Sequence, residues 1–278
     1  MKLGIVLSTH AAAFQAVAFK GDFERNVAKI AGWGYDGVEL AIRDPRLVEA
    51  GELERVVGGH GLAVPAIGTG QAWGEEKLSF TSDTASVREA AVQRIKSHMP
   101  LAARLNAVVI LGLIRGITPS GQSHQRSMEY LIEAIKECAA AAGGTGVRLA
   151  LEPLNRYETD LIHTVAEGLD LVERIGAENF GLLLDTFHMN LEEPGIEDSI
   201  GACGDRIFHF HVADSNRWYP GAGHLDFASI LGTLAESGYE GFVSGEFMPL
   251  PDADTAAERG IAHLRGAQSA RRRVTGRE

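Results

Sequence analysis

Four apolar runs in the second half of the chain end on residues that can bind a metal ion or move a proton. Glu152 closes LALE, Asp185 closes GLLLD, His211 closes IFHFH and Glu246 closes FVSGE. Three carboxylates and one imidazole are hard to borderline ligands, suited to a divalent Mn, Mg or Co ion rather than to a thiolate-preferring one. A single carboxylate at such a position is as often the N-cap of the following helix. Four in succession are better explained by convergence on one point. His209, two residues before His211, is read as a packing residue turned toward the helices.

A second set of polar residues follows those strand ends. Asn155, Arg156 and Glu158 lie in PLNRYETD, His188 in DTFHMN, and Asp214 and Arg217 in HVADSNRWYPGAGHLDF. Each could be a capped turn or a surface cation, but a place just beyond ligand-bearing strand ends favours substrate contact. Arg43 and Arg115 follow earlier apolar runs. Each is a surface or helix-capping arginine, or a fork able to meet a substrate carboxylate in bidentate fashion. Trp73 and Trp218 could stack on the apolar face of a sugar or pack within their loops.

Elements at regular spacing must hold these residues. Apolar runs recur at Leu3–Leu7, Gly37–Ala41, Val64–Gly68, Ala107–Gly112, Val147–Glu152, Gly181–Asp185, Ile207–His211 and Phe242–Glu246. Several are apolar at successive positions, as in parallel strands covered on both faces. Helical periodicity fills the gaps at Asp22–Gly32, Arg46–His60, Ser86–Leu105, Ser127–Ala142, Thr164–Ile175, Phe227–Ser237 and Thr255–Ala267. Eight strand–helix units in this length predict an α/β fold of the (β/α)8 TIM-barrel type, whose functional residues gather at the C-terminal strand ends. A doubly wound sheet is the alternative, but Ser8-Thr9-His10 after the first strand is no glycine-rich phosphate loop. One domain is expected over 1–270, followed by a solvated basic tail at 271–278. The excursion from Thr69 to Ser82 is long for such a connection and is expected to face substrate.

Charge and cysteine content narrow the function classes. The 278 residues carry a formal charge of −11, from 26 basic and 37 acidic side chains. That argues against a nucleic-acid or anionic-membrane partner, which needs a basic face. Cys138 and Cys203 form no Cys-x-x-Cys pair, which excludes a cysteine zinc site. No stretch reaches the length of a membrane span, and the short apolar run at the N-terminus lacks the features of a signal peptide. A cytoplasmic protein is expected.

The segments LEPLNRYETD, LLLDTFHMNLEE, FHFHVADSNRWYPGAGHLDF and the Gly-Glu of VSGEF resemble the sugar isomerase/epimerase superfamily of xylose-isomerase-like TIM barrels. Within it they look like the ketose 3-epimerases that act on tagatose and allulose. KLGIVLST, AFKGDF, GVELAIRDP and AIGTGQA add a likeness to the 5-keto-L-gluconate epimerase branch. The resemblance runs from Lys2 to about Pro251. It implies that Glu152, Asp185, His211 and Glu246 bind one divalent ion, usually Mn, and that Glu152 and Glu246 are the acid–base pair. It further implies that Glu158, His188 and Arg217 hold the oxygens at the substrate's carbonyl end, and that the chain pairs into a homo-oligomer, a dimer or tetramer. The loop Gly68–Phe80 differs from that of the tagatose enzymes, so their substrate range is not carried over.

The residue chemistry agrees with that implication. Inverting a carbon beside a ketone removes one proton and returns another on the opposite face, and two carboxylates flanking one carbon can do this. A divalent ion at the ketone stabilises the enediolate and so acidifies the C–H. Three competing readings remain. An aldose–ketose isomerase of the hydroxypyruvate-isomerase kind would use the same site. An abasic-site endonuclease needs a cluster of metals and a basic face. A non-catalytic sugar-binding protein needs neither a metal nor paired carboxylates.

Overall fold

The computed structural model describes residues 1–274, with side chains described through residue 270. Eight parallel strands close into a barrel: β1 (Lys2–Ser8), β2 (Gly37–Ala41), β3 (Ala66–Gly68), β4 (Val108–Leu111), β5 (Leu149–Leu151), β6 (Phe180–Asp185), β7 (Ile207–Val212) and β8 (Phe242–Gly245). Each strand pairs with the next in the chain. Closure comes from β8 on β1, with Lys2 opposite Phe242 and Ile5 opposite Gly245. A two-residue strand, Phe19–Lys20, also pairs with the end of β1. The chain is thus the single (β/α)8 barrel that the spacing predicts.

Alternation along the strands divides the core. On β1, Leu3, Ile5 and Leu7 pack outward into the main core beneath the helices. The inward positions of several strands form a separate small cluster that includes Ala66, Val108, Ile110, Ala150 and Leu183. Gly181 belongs to this crowded interior, since a Cβ there would come within 2.8 Å of the Phe208 ring.

The helices are α1 (Phe23–Gly32), α2 (Ala50–Gly59), α3 (Gln71–Glu76), α4 (Ala85–Leu105), α5 (His124–Ala142), α6 (Val165–Ile175), α7 (Thr186–Glu192), α8 (Ile196–Cys203), α9 (Phe227–Glu236) and α10 (Ala253–Val274). Thr164 starts α6 with a capping box in which its hydroxyl accepts from Glu167 N while the Glu167 carboxylate accepts from Thr164 N, a device worth about 1 kcal/mol. The sequence pattern did not expose α3, α7 or α8, which are short and interrupt loops. Helix α10 extends past the expected end to Val274, and residues 275–278 of the expected tail lie outside the described residues. No helix among the described residues is long and apolar enough to cross a membrane. Cys138 and Cys203 are buried and unpaired.

One expectation about strand faces is overturned. Residues two apart on a strand share a face, so His209 points into the barrel with His211 and not toward the helices. Both imidazoles are buried against the carboxylate of Glu39 from β2. Pairing between β6 and β7 passes from Leu182–Ile207 to Leu183–His209, skipping Phe208, and this bulge lets Phe208 join the interior cluster as well.

Candidate metal centre

The barrel brings Glu152, Asp185, His211 and Glu246 together at its C-terminal end. One ligand atom from each lies within 4.8 Å of all the others. His211 Nδ1 is 3.8 Å from Glu152 Oε1 and 3.9 Å from Glu246 Oε2. Glu152 Oε1, Asp185 Oδ2 and His211 Nδ1 are buried and have no hydrogen-bond partner. Buried polar atoms are almost always paired, so three converging orphans mark a place for a cation. Oxygen-rich donors with one imidazole fit a divalent ion of the Mn or Mg kind.

Electrostatics point the same way. Burial, and then the charge of Glu246, holds the Glu152 carboxyl well above the usual carboxylate range. Burial also raises Asp185, and it pushes Glu246 up to about 7. Three carboxylates in one dry pocket repel one another, and a bound dication relieves that repulsion. Burial alone would lower His211, but Glu39, Glu246 and Glu152 raise it well above its ordinary value.

Asp185 is both things a strand-end carboxylate can be. Its Oδ1 caps α7 by accepting from Phe187 N at 2.8 Å, while its Oδ2 faces the site. The cap aims the second oxygen. Helix α7 then carries His188 into the site, where its Nε2 lies 3.7 Å from Glu152 Oε1. His188 Nδ1 accepts from Asn155 Nδ2 at 2.7 Å, so its Nε2 bears the proton and points into the pocket. Burial, followed by the charge of Arg217, lowers the His188 pKa well below normal. His188 is therefore a neutral N–H donor.

Arg217 and Glu158 complete the polar wall. Arg217 Nη1 donates to Glu158 Oε1 at 2.6 Å, and Nη2 is 3.6 Å from Glu246 Oε2. The guanidinium lies between the rings of Phe14 and Phe187, at 5.2 and 4.7 Å from their centroids. Its backbone adopts φ +62°, unusual for a side-chain-bearing residue. Asp214 holds that loop by accepting from the backbone N–H groups of Ser215, Gly221 and Leu225. Gly223 must be glycine there, because a Cβ would meet Asp214 Oδ1 at 2.2 Å. Asp214 is thus an organiser of the loop, and Arg156 turns outward to pair with Glu192 at 2.7 Å.

Glu152, Glu158, His188, His211, Arg217 and Glu246 line a cavity of about 310 Å³. Its other side comes from the ends of β1–β4 and their loops, including Ala13, Phe14, Val17, Trp73 and Leu113. Trp73 lies on α3, inside the excursion expected to face substrate, whereas Trp218 is not among the lining residues. The two arginines considered for a substrate carboxylate are otherwise engaged. Arg43 pairs with Glu75 and, at 3.3 Å, with Glu76. Arg115 is fully buried, donates to the carbonyls of Gly112, Leu161 and Leu111, and is not among the lining residues. Among the described residues lining the cavity, Arg217 is the one arginine or lysine.

A closed parallel barrel with an oxygen-rich cluster able to hold a cation at the C-terminal ends of β5–β8 has the architecture of a (β/α)8 enzyme. Residues 27–267 match the family described as xylose isomerase-like TIM barrel. The chain belongs to that family and, within it, to the ketose 3-epimerase group of isomerases. It is 30% identical over 246 residues to an L-ribulose 3-epimerase of Mesorhizobium japonicum, covering 86% of this chain and 80% of the relative. It is likewise 30% identical to a D-psicose 3-epimerase of Ruminiclostridium cellulolyticum, with 83% and 80% covered. The solved structure of an L-ribulose 3-epimerase superposes with a TM-score of 0.82 at 26% identity, covering 100% of this chain and 99% of that one.

Proposed function

We propose that the chain inverts the carbon next to the ketone of a sugar at C3, using Glu152 and Glu246 as acid and base on opposite faces of that carbon. The observation that carries this reading is the set of orphaned atoms on Glu152, Asp185 and His211, which converge with the Glu246 carboxylate at the end of β8. Glu152, Asp185, His211 and Glu246 would hold one divalent ion, whose charge acidifies the C–H beside the ketone when bound. Mn suits the donor set, with Mg or Co as substitutes.

In this reading Glu152 takes the proton from one face and Glu246 delivers a proton to the other, and the roles exchange in the reverse direction. His188 Nε2–H and the Arg217 guanidinium donate to oxygens at the carbonyl end, where negative charge develops. Glu158 fixes the Arg217 fork and offers its second oxygen to a substrate hydroxyl.

The rim supports a neutral ketose over a keto-hexonate. A sugar carboxylate needs a free cation, and Arg43 and Arg115 both have other partners. Glu75 also lines the rim and would repel an anion. The relatives carry the names L-ribulose and D-psicose 3-epimerase, and the same class of neutral ketose is proposed here. The test is an NMR panel of ketoses and keto-hexonates incubated in D2O with Mn2+. Deuterium at the inverted C3 supports the reading. Deuterium at C1 or C2 of an aldose product would make the enzyme a 1,2-isomerase, and turnover of keto-hexonates alone would overturn the substrate class.

A further inference from the structure

Glu39 interrupts the apolar run GVELA of β2, and no feature of the sequence reading gave it a role. It is 1% exposed and projects into the barrel, across from β7. Its Oε2 lies 2.7 Å from His209 Nε2 and 3.0 Å from His211 Nε2. A carboxylate only accepts, so both facing nitrogens are N–H donors. For His211 this commits Nε2 to Glu39 and makes Nδ1, which faces Glu152 and Glu246, the nitrogen that a bound ion would take. The two rings stand nearly perpendicular, at 82°, with centroids 5.3 Å apart, so one carboxylate can serve both.

We propose that Glu39 is a positioning residue for the metal centre: it holds His211 through Nε2 so that Nδ1 is aimed at the other ligands, and His209 braces it by donating to the same carboxylate. The inference rests on the metal reading above. Glu39, His209 and His211 could by composition hold an ion themselves. Their direct hydrogen bonds already occupy both Nε2 atoms, which favours a brace over a second site. A ligand histidine bonded through its other nitrogen to a carboxylate keeps its ring orientation and gains basicity, and losing such a partner weakens metal binding by about 10–100-fold.

The experiment is calorimetric titration of chelator-stripped protein with Mn2+, for the wild type, Glu39→Gln and His209→Gln, with circular dichroism to confirm the fold. Expected are one ion per wild-type chain, a loss of about 10–100-fold in affinity for Glu39→Gln, and a smaller loss for His209→Gln. In 15N-histidine spectra of the Mg2+-loaded wild type, His211 should carry its proton on Nε2. A folded Glu39→Gln protein with unchanged affinity overturns the proposal, as does a His211 proton on Nδ1 or a stoichiometry of two ions per chain. If Glu39→Gln does not fold, His209→Gln and the wild-type spectrum decide. Failure of the wild type to bind Mn2+ or Mg2+ at all would instead sink the metal reading.

Discussion

The two halves of the barrel mouth are built from different materials. Strands β5–β8 end in Glu152, Asp185, His211 and Glu246, and their loops add His188, Glu158 and Arg217. Strands β1–β4 end in Ser8, Ala41, Gly68 and, one residue beyond β4, Gly112, and their loops present mostly apolar side chains such as Phe14, Val17 and Trp73. One arc concentrates charge that burial makes costly unless a cation compensates it. The other arc is small and apolar at its base, which leaves room for a substrate and for its shape to be read. Glu39, a carboxylate from the shape-reading arc, reaches across to the charged one. On the proposed reading, chemistry and selectivity are therefore separable by mutation, with large kcat effects expected at β5–β8.

The strongest attempt to break that division removes the proposed bases. Glu152→Gln and Glu246→Gln should each lower kcat by about 10²–10⁴-fold, the usual contribution of a positioned acid or base. Either variant could still exchange deuterium into unreacted substrate on the face whose base survives. Near-normal turnover in both, measured by NMR in D2O, would end the two-base mechanism.

Asp185→Ala tests the charged arc through the ion. It should abolish tight Mn2+ binding while α7 loses only its cap, so the fold persists. The pH dependence of binding follows from the carboxyl groups. Burial holds Glu246 at about 7 in the metal-free protein and holds Glu152 well above its ordinary value. Above pH 7 the Glu246 carboxylate is ionised and ready. Below it, an entering ion must displace a proton, so affinity should fall by up to about tenfold per pH unit. The decline therefore sets in well above pH 5, where ordinary carboxylates titrate, and the raised His211 and Glu152 add further protons that the ion must displace. A flat titration series between pH 8 and 5.5 would contradict it.

Arg217→Lys should have a middling effect. Lysine keeps the charge but loses the planar fork that Glu158 and the flanking Phe14 and Phe187 rings hold. We expect kcat/KM to drop about 10²-fold, the size of one lost oxyanion donor. Mn2+ affinity, measured calorimetrically, should change little, because Arg217 is no ligand. A parallel loss of both would make the residue part of the metal centre.

The charged arc was legible in the sequence because its signal is local. An apolar run followed by a ligand-type side chain can be read without knowing what lies across the barrel. The fold was legible for the same reason, since the strand–helix period repeats along the chain. What sequence reading missed depends on contacts between distant segments. Glu39 and His209 meet across 170 positions of chain, and the cue available was a charged residue inside the apolar run GVELA. Applying the two-residue strand period correctly would have put His209 beside His211. Arg43 looked free because its partners Glu75 and Glu76 lie on α3, a helix too short to show a period. Arg115 looked exposed, yet carbonyls at the ends of β4 and of the Leu161 loop enclose it completely.

The smallest expected effect tests the shape-reading arc. Glu75 sits at the rim of the cavity and pairs with Arg43, which is itself 35% exposed. Glu75→Gln removes a negative charge from the rim and leaves Arg43 held by Glu76 instead of by two carboxylates. An exposed pair of this kind is worth at most about 1 kcal/mol, so the change in rate should be no more than about fivefold. Its direction is specific. Activity on a keto-hexonate should rise relative to a neutral ketose, through a lower KM and not a higher kcat, because the rim meets the far end of the substrate. Arg43→Ala should move the ratio the opposite way by leaving Glu75 unpaired. Steady-state kinetics of both variants on a matched pair of substrates measures the ratio directly. If Glu75→Gln instead collapsed kcat on the neutral ketose, the β1–β4 arc would be taking part in the chemistry, and the division of the barrel mouth into two arcs would have to be abandoned.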